Sequence, residues 1–488
     1  MGRPKLAGGW FRVILAGMIF LTFAGQEATA QPISHTRMPG KAQRMVTLRE
    51  AISTALTRNL RMADTRLAVE EKERMRREAF SEFFPTLDLT YMGQWMKYTS
   101  PLSMQTTWVG AHDSRWMVRG DPSQGIGIAP DYPYRIDPYR QFTMSATITQ
   151  PLYTGGKYVN EYKFAQLGVD YAALQLDVER QNLVFDVVQA YYQLVQAYKL
   201  LDVADESVRA LEGMRNVAVG FYRRGVTAKT DVLSTEGQLA RARVQRTQSL
   251  TDIQNSRAIL NYLLRNPQET MYPVDMDLSY TPSTYRIPDI YSIAAANRVE
   301  IRQANISVQQ AMALVKMAKA DLLPNVVLQP QATRLNDDWN TFDPEAIQEP
   351  VVWDLYQGPM GGWSLQAVLS WSFDAFGLRE TVQERRAGQA RAFVAKQQLV
   401  EQIMQEVKQA YQNMKHSERD IADNRKAVAY RDENFRIVRR EYIEQVATYT
   451  EVLDAERQLA LAQSDLYMSL AGYRMNQATL ERAMGTLR

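Results

Sequence analysis

The chain of 488 residues is 45% hydrophobic and 23% charged, with a formal net charge of +3, which is typical of a folded protein. Without any long Lys/Arg run, it gives no sign of a nucleic-acid partner. Cysteine is absent, which excludes disulfides, thiolate metal ligands and a cysteine nucleophile. The three histidines have no metal-ligand spacing, and there is no phosphate-binding loop or G-x-S-x-G motif. We therefore expect no enzyme activity, no cofactor and no metal site.

The first 30 residues have the pattern of a secretory signal peptide. Basic residues precede the apolar run "VILAGMIFLTFAG", and Ala28-Thr29-Ala30 supplies a cleavage motif of small residues. The alternative is an N-terminal anchor helix, but the run is shorter than the roughly 20 residues that cross a bilayer. We expect a mature chain of residues 31–488. It has no later stretch apolar enough for a membrane-spanning helix, so insertion into a membrane would require β-strands.

The sequence then repeats itself. Residues 64–85 align with 303–324 at an offset of 239, and residues 222–243 align with 442–463 at an offset of 220, with ten identities in 22 positions. Each half reads helix, strand, loop, strand, long helix, turn, long helix. This predicts a tandem repeat, with halves at about 48–265 and 290–488 and a proline-punctuated linker at 266–289.

Four segments alternate apolar and polar residues over about ten positions each. They begin near Thr86, Gln141, Asn325 and Trp363. This alternation is typical of membrane strands with lipid on one side and water on the other. A soluble, half-buried sheet is the alternative. Pro330 predicts that the third strand bends or ends there, because proline cannot donate to a ladder.

The long helices predict coiled-coil packing. No proline interrupts the stretches from Lys157 to about Arg215 and from Gly377 to about Arg440. The last helix carries a heptad series of larger side chains, which are Val452, Leu459, Leu466, Tyr473 and Leu480. By itself this pattern also fits a long soluble coiled coil.

Taken in order, these motifs resemble the TolC family of bacterial outer-membrane efflux proteins. The resemblance rests on the duplication, on "FFPTLDL" and "LLPNVVL" before the strands, on "TQPLYTGG" before the long helix, and on "YxxxVxxxTxVLxxExQLAxA" after the helical turn. It implies a mainly α fold with a small β part. It also implies a homotrimer whose strands form a twelve-stranded transmembrane β-barrel in outer-membrane lipid, above a periplasmic α-barrel.

The function implied by the resemblance is that of an outer-membrane exit channel in tripartite efflux or type I secretion. Such a channel is a passive conduit without a cofactor, and it works with a periplasmic adaptor protein and an inner-membrane pump. The other function that the pattern allows is that of a periplasmic coiled-coil scaffold without a channel.

The resemblance also implies a site at the two helical turns, which would form the periplasmic tip. The candidate adaptor contacts are Arg224, Gly225, Val226, Glu444, Gln445 and Val446. Gln445 stands where the first half has Gly225, so we expect an adaptor to treat the two tips unequally. Glu441 and Glu444 are candidates for a pore gate, with a solvated helix face as the alternative explanation for both.

Overall fold

The computed structural model describes residues 45–96, 139–338, 360–372, 374 and 376–487. The predicted signal peptide, residues 1–30, lies outside these residues. The first half contains α1 (Leu48–Arg58), α2 (Leu60–Ser81), β1 (Thr86–Met96), β2 (Tyr139–Tyr153), α3 (Lys157–Arg223) and α4 (Lys229–Leu264). The second half contains α5 (Ile287–Asn297), α6 (Val299–Ala320), β3 (Asn325–Asp338), β4 (Met360–Ser370), α7 (Gly377–Ile443) and α8 (Tyr449–Ala483).

The two halves match in length, element by element. Helices α3 and α7 each have 67 residues, α2 and α6 each have 22, and α4 and α8 have 36 and 35. At 1.5 Å per residue, α3 and α7 are each about 100 Å long. The starting residues keep the offsets seen in the sequence, 239 for α2 and α6 and 220 for both long pairs. The predicted mainly α fold with a small sheet and a tandem repeat is therefore confirmed.

The strands form one antiparallel sheet in the order β1-β2-β3-β4. Its register keeps the two faces distinct across all four strands. One row runs through Leu89, Ala146, Ala332 and Trp363, and a neighbouring row of the opposite face is polar. That polar row consists of Asp88, Thr147, Gln331 and Ser364. Strands β1 and β4 are the edges of this sheet, and neither has a second partner among the described residues.

The third strand was predicted to bend or end at Pro330, and the predicted end is wrong. Strand β3 continues to Asp338, and Pro330 keeps its place opposite Leu365 of β4. On the other side, the β2–β3 ladder runs from Thr147–Gln331 to Gln150–Leu328 and leaves out the two intervening pairs, which include the position of Pro330. The missing N–H therefore falls at an interruption of the ladder with β2, where proline is tolerated.

The helices form two hairpins, α3 with α4 and α7 with α8, which pack against each other. Helix α3 packs against α4 and α8 towards the turns, and against α2 and α6 towards the sheet. Helix α7 packs against α8 and α6. The predicted heptad is buried where the helices meet, since Val452 and Leu480 have no exposed surface. In α4, the corresponding series is interrupted by Arg246, whose guanidinium pairs with Asp205 of α3 at 2.5 Å.

The linker runs between Leu264 and Ile287, and its residues Tyr272, Val274 and Leu278 are buried in the main hydrophobic core. It is held by tyrosines from both halves: the Tyr191 hydroxyl donates to the Asp275 carbonyl at 3.2 Å, and its repeat counterpart Tyr411 donates to the Tyr285 carbonyl at 3.3 Å. Pro288 falls within the predicted linker, but it lies in the first turn of α5, where the missing N–H would have no helical partner. Within the described ranges, none of the helices is both long and apolar enough to cross a membrane.

Candidate functional site

The first turn, between α3 and α4, ends the helix with a left-handed glycine. Gly225 has φ +76°, and its N–H donates to the Tyr222 carbonyl at 2.9 Å. The next N–H, that of Val226, reaches back to the Phe221 carbonyl, also at 2.9 Å. These two bonds satisfy carbonyls at the end of α3 that would otherwise lack partners. Arg224, Gly225 and Val226 are all exposed, as a contact surface requires.

The second turn, between α7 and α8, has the same backbone with a different residue at its centre. Gln445 has φ +65°, and its N–H donates to the Tyr442 carbonyl at 3.0 Å. The N–H of Val446 donates to the Glu441 carbonyl at 2.8 Å. The departure from glycine therefore leaves the shape of the turn unchanged. It places an L-residue in a conformation that costs roughly 1–2 kcal/mol.

The two turns differ in how the returning helix begins. Helix α8 starts with a capping box, because the Thr448 hydroxyl accepts from the Glu451 N–H and the Glu451 carboxylate accepts from the Thr448 N–H at 2.7 Å. This bond lowers the pKa of Glu451. The N-cap residue of helix α4 is Ala228, whose side chain makes no capping hydrogen bond. The first turn thus has glycine at its left-handed position, whereas only the second turn is followed by a helix with a side-chain cap.

A cluster of aromatic and aliphatic side chains joins the two hairpins just behind the turns. The Phe221 and Tyr442 rings lie 5.8 Å apart, and the Tyr442 and Tyr449 rings lie 5.6 Å apart. They pack with three buried residues of α3, which are Leu211, Met214 and Ala218. Burial raises the pKa of Tyr449 to about 12, and the nearby Asp231 carboxylate acts in the same direction. Both turns therefore pack on one shared hydrophobic core.

An open groove lies on the far side of the second hairpin, with a volume of 540 Å³. From α7 it is lined by Arg431, Asn434, Val438 and Glu441. Its other wall comes from the turn and from α8, and these residues are Val446, Ala447, Thr450, Glu451, Asp454, Ala455 and Gln458.

Of the predicted site residues, only Glu441 and Val446 line this groove. Glu444 is exposed at the turn and does not line it. Sequence reasoning missed Glu451 and Asp454, although the run "TYTE" at 448–451 has the S/T-x-x-E signature of a capping box. Among the residues that the structure describes, no group of three or more acidic or histidine side chains could hold a metal ion.

The fold and the tips define a class of protein: a duplicated protomer that carries an amphipathic sheet at one end and two long helical hairpins ending in exposed turns. The family model for outer membrane efflux proteins matches residues 51–264 and 290–486, one match for each half. The chain belongs to the outer membrane efflux protein family. Its predicted location, in the outer membrane and extending into the periplasm, and its predicted class of function, an outer-membrane efflux channel, are confirmed at the level of the family.

Individual relatives are distant. The chain is 23% identical to nodulation protein T of Rhizobium leguminosarum bv. viciae over 337 residues, which cover 66% of this chain and 65% of that protein. It is 22% identical to the toluene efflux pump outer membrane protein TtgF of Pseudomonas putida, over 90% of this chain and 83% of the relative. The crystal structure of CusC superposes with a TM-score of 0.71 at 16% identity, covering 92% of this chain and 95% of that one. Family and fold are those of channel proteins, which favours the channel over the periplasmic scaffold.

Proposed function

We propose that three copies of this chain close into one duct, which carries substrates passively from a periplasmic adaptor and an inner-membrane pump across the outer membrane. The observation that carries this proposal is the internal repeat. The two halves pack side by side, so that one side of the first half is covered by the second half. The equivalent side of the second half is left open within the chain. A ring of copies would cover it in the same way.

The sheet supports this closure. Within the chain, the halves are joined by the pairing of β2 with β3, which leaves β1 and β4 with free edges among the described residues. A backbone edge left unpaired in lipid costs several kcal/mol for each polar group. Pairing of β4 with β1 of the next copy removes both edges, and three copies of four strands make the predicted twelve-stranded barrel.

The helices support the same ring. Helix α3 of the first half is covered by α6 and α8 of the second. Its counterpart α7 has no neighbour on the equivalent side within the described residues. In the proposed ring, α2 and α4 of the next copy occupy that side. The resulting assembly is heterologous and cyclic, with six similar hairpins around one mouth.

The substrate class that we propose is small organic molecules. The family gives the role of efflux, and the names of the relatives add toluene and antibiotic efflux for proteins of Pseudomonas putida. The matching experiment is deletion of the gene, followed by measurement of the accumulation of a hydrophobic fluorescent dye. We expect accumulation to rise on deletion and to return to its starting level when the gene is supplied in trans. Unchanged accumulation and unchanged resistance across a panel of dyes and solvents would contradict the proposal.

We further propose that the six exposed tip residues contact the adaptor. Val226 is 45% exposed and Val446 is 76% exposed, so each turn presents an apolar side chain that a partner protein can cover. Val226→Asp or Val446→Asp is expected to abolish export while leaving the amount of assembled protein in the outer membrane unchanged. Val446→Thr is the matched control, because it keeps the shape of the side chain. Full export by both aspartate variants would refute the contact.

A further inference from the structure

The apolar face of the sheet contains one charged side chain among the described residues. This is the face with the row of Leu89, Ala146, Ala332 and Trp363, and the charge belongs to Arg334 of β3. Arg334 is exposed, and its guanidinium has no ion pair or hydrogen bond with any residue that the structure describes. Because a guanidinium is always charged and has five N–H donors, we expect it to have an anionic partner outside the chain.

The position of Arg334 along the strand indicates where that partner lies. Strand β3 begins at Asn325, shortly after the end of α6, and Arg334 is nine residues further from the helices. Nine residues of strand span about 30 Å, which is about 23 Å along the membrane normal at a tilt of roughly 40°. This nearly equals the apolar band of outer-membrane strands, which is about 25 Å tall. Since the helices extend into the periplasm, Arg334 lies at the level of the head groups of the outer leaflet.

The register separates Arg334 from a second arginine near the same end of the sheet. Arg140 of β2 pairs with Asp338 of β3, so an acidic residue stands opposite it. Arg334 pairs with Met144 on one side and with Gly361 on the other, and neither residue carries a charge. Gly361 also has no side chain that could cover its neighbour. Arg334 is therefore the cation that the sheet leaves unmatched.

Aromatic and apolar side chains surround Arg334 on the same face. Tyr91 lies in the same row and is 71% exposed, and Trp363 lies diagonally across β4 and is 82% exposed. Tyrosine and tryptophan are enriched where acyl chains meet head groups. Closer to the helices, the face continues with the exposed apolar residues Leu365 and Ile148. A molecule with an anionic head and acyl chains matches this order of charge, rings and apolar side chains.

We propose that Arg334 binds the phosphate of a phosphorylated lipid in the outer leaflet, with the acyl chains of that lipid along the apolar face of the sheet. Arginine suits phosphate because its planar fork can donate two parallel hydrogen bonds to two oxygens. Strand β3 is paired on both sides within one chain, so the site is complete in a single copy. The proposal therefore depends neither on the ring nor on the substrate that the duct carries.

Native mass spectrometry of the full chain, extracted from outer membranes and stripped of lipid in mild detergent, tests the site. The probe is diphosphorylated lipid A, and dephosphorylated lipid A with the same acyl chains is its control. We expect the wild-type chain to bind the diphosphorylated form severalfold more than the control, and Arg334→Gln to lose most of this preference. Arg334→Lys keeps the charge without the fork and should retain part of it. Arg58→Gln, at an exposed arginine that ends α1, is the matched control and should bind as the wild type does.

Inorganic phosphate separates a lipid site from a site for any small anion. In excess, it is expected to leave the bound lipid in place, because the acyl chains contribute to binding. Displacement of diphosphorylated lipid A by phosphate would overturn the lipid as the ligand.

Two other results would also contradict the proposal. Equal binding of the two lipid forms by the wild-type chain would do so without any variant, and equal binding of the diphosphorylated form by Arg334→Gln would refute the role of Arg334. Dye accumulation in cells that carry Arg334→Gln is expected to match that of the wild type. Loss of lipid binding with normal dye accumulation would support the lipid site and leave the proposed export function standing.

Discussion

The replacement Gln445→Gly tests how the second tip is held. Gln445 has φ +65° and its side chain is exposed, so the backbone conformation is the main quantity that the substitution changes. An L-residue in this region costs roughly 1–2 kcal/mol, and glycine avoids most of that cost while losing some chain entropy on folding. We expect the turn to become more stable by about 1 kcal/mol. The hydrogen bond from the Val446 N–H to the Glu441 carbonyl should then open less often.

Hydrogen exchange at that amide measures the effect locally. A gain of about 1 kcal/mol corresponds to about a fivefold increase in protection, if exchange follows local opening. Gln445→Ala is the matched control and should leave protection nearly unchanged, since alanine bears the same left-handed cost. Gly225→Ala, in the first turn, should reduce protection of the Val226 amide by a similar factor. Lower protection in Gln445→Gly would contradict this expectation, because it would mean that the glutamine side chain stabilises the turn.

Three further outcomes are expected. Thr448→Ala should destabilise the start of α8 by about 1 kcal/mol, and Ala228→Thr should stabilise the start of α4 by a similar amount, both read from hydrogen exchange in the first turn of each helix. Leu480→Ala, at a site with no exposed surface, should cost about 3 kcal/mol and lower Tm, whereas the volume-conserving Leu480→Met should cost less than about 1.5 kcal/mol. Burial raises the pKa of Glu456, so its carboxylate costs stability as pH rises through that raised pKa. Glu456→Gln should therefore raise Tm near neutral pH and leave it unchanged below the ordinary glutamate pKa of 4.5; an equal effect at both pH values would contradict this cause.

The fold was largely predictable because the internal sequence repeat identifies the matching helices and strands of the two halves. The strand at Thr86–Met96 and the start of α7 at Gly377 coincide with the predicted limits. Helix α3 extends to Arg223 and not to about Arg215, since Gly213 and Gly220 are tolerated within a helix that packs on both sides. The continuation of β3 through Pro330 was not predictable, because it depends on where the ladder with β2 is interrupted.

The site was predictable only in part. The turns were identified from the repeat, but the replacement of glycine by Gln445 gave no indication that the backbone is the same in both halves. The groove could not be predicted, because it exists only where α7 lacks the neighbour that α3 has. Glu451 and Asp454 belong to it through their position one turn apart on α8, on the side that faces α7.

In the proposed assembly, three copies of this chain form one duct through the outer membrane. The mass of the assembly extracted from outer membranes in mild detergent, measured by native mass spectrometry, tests it most directly. We expect a single species with three times the mass of the mature chain. A species of one chain mass, with its sheet edges unpaired, would contradict it.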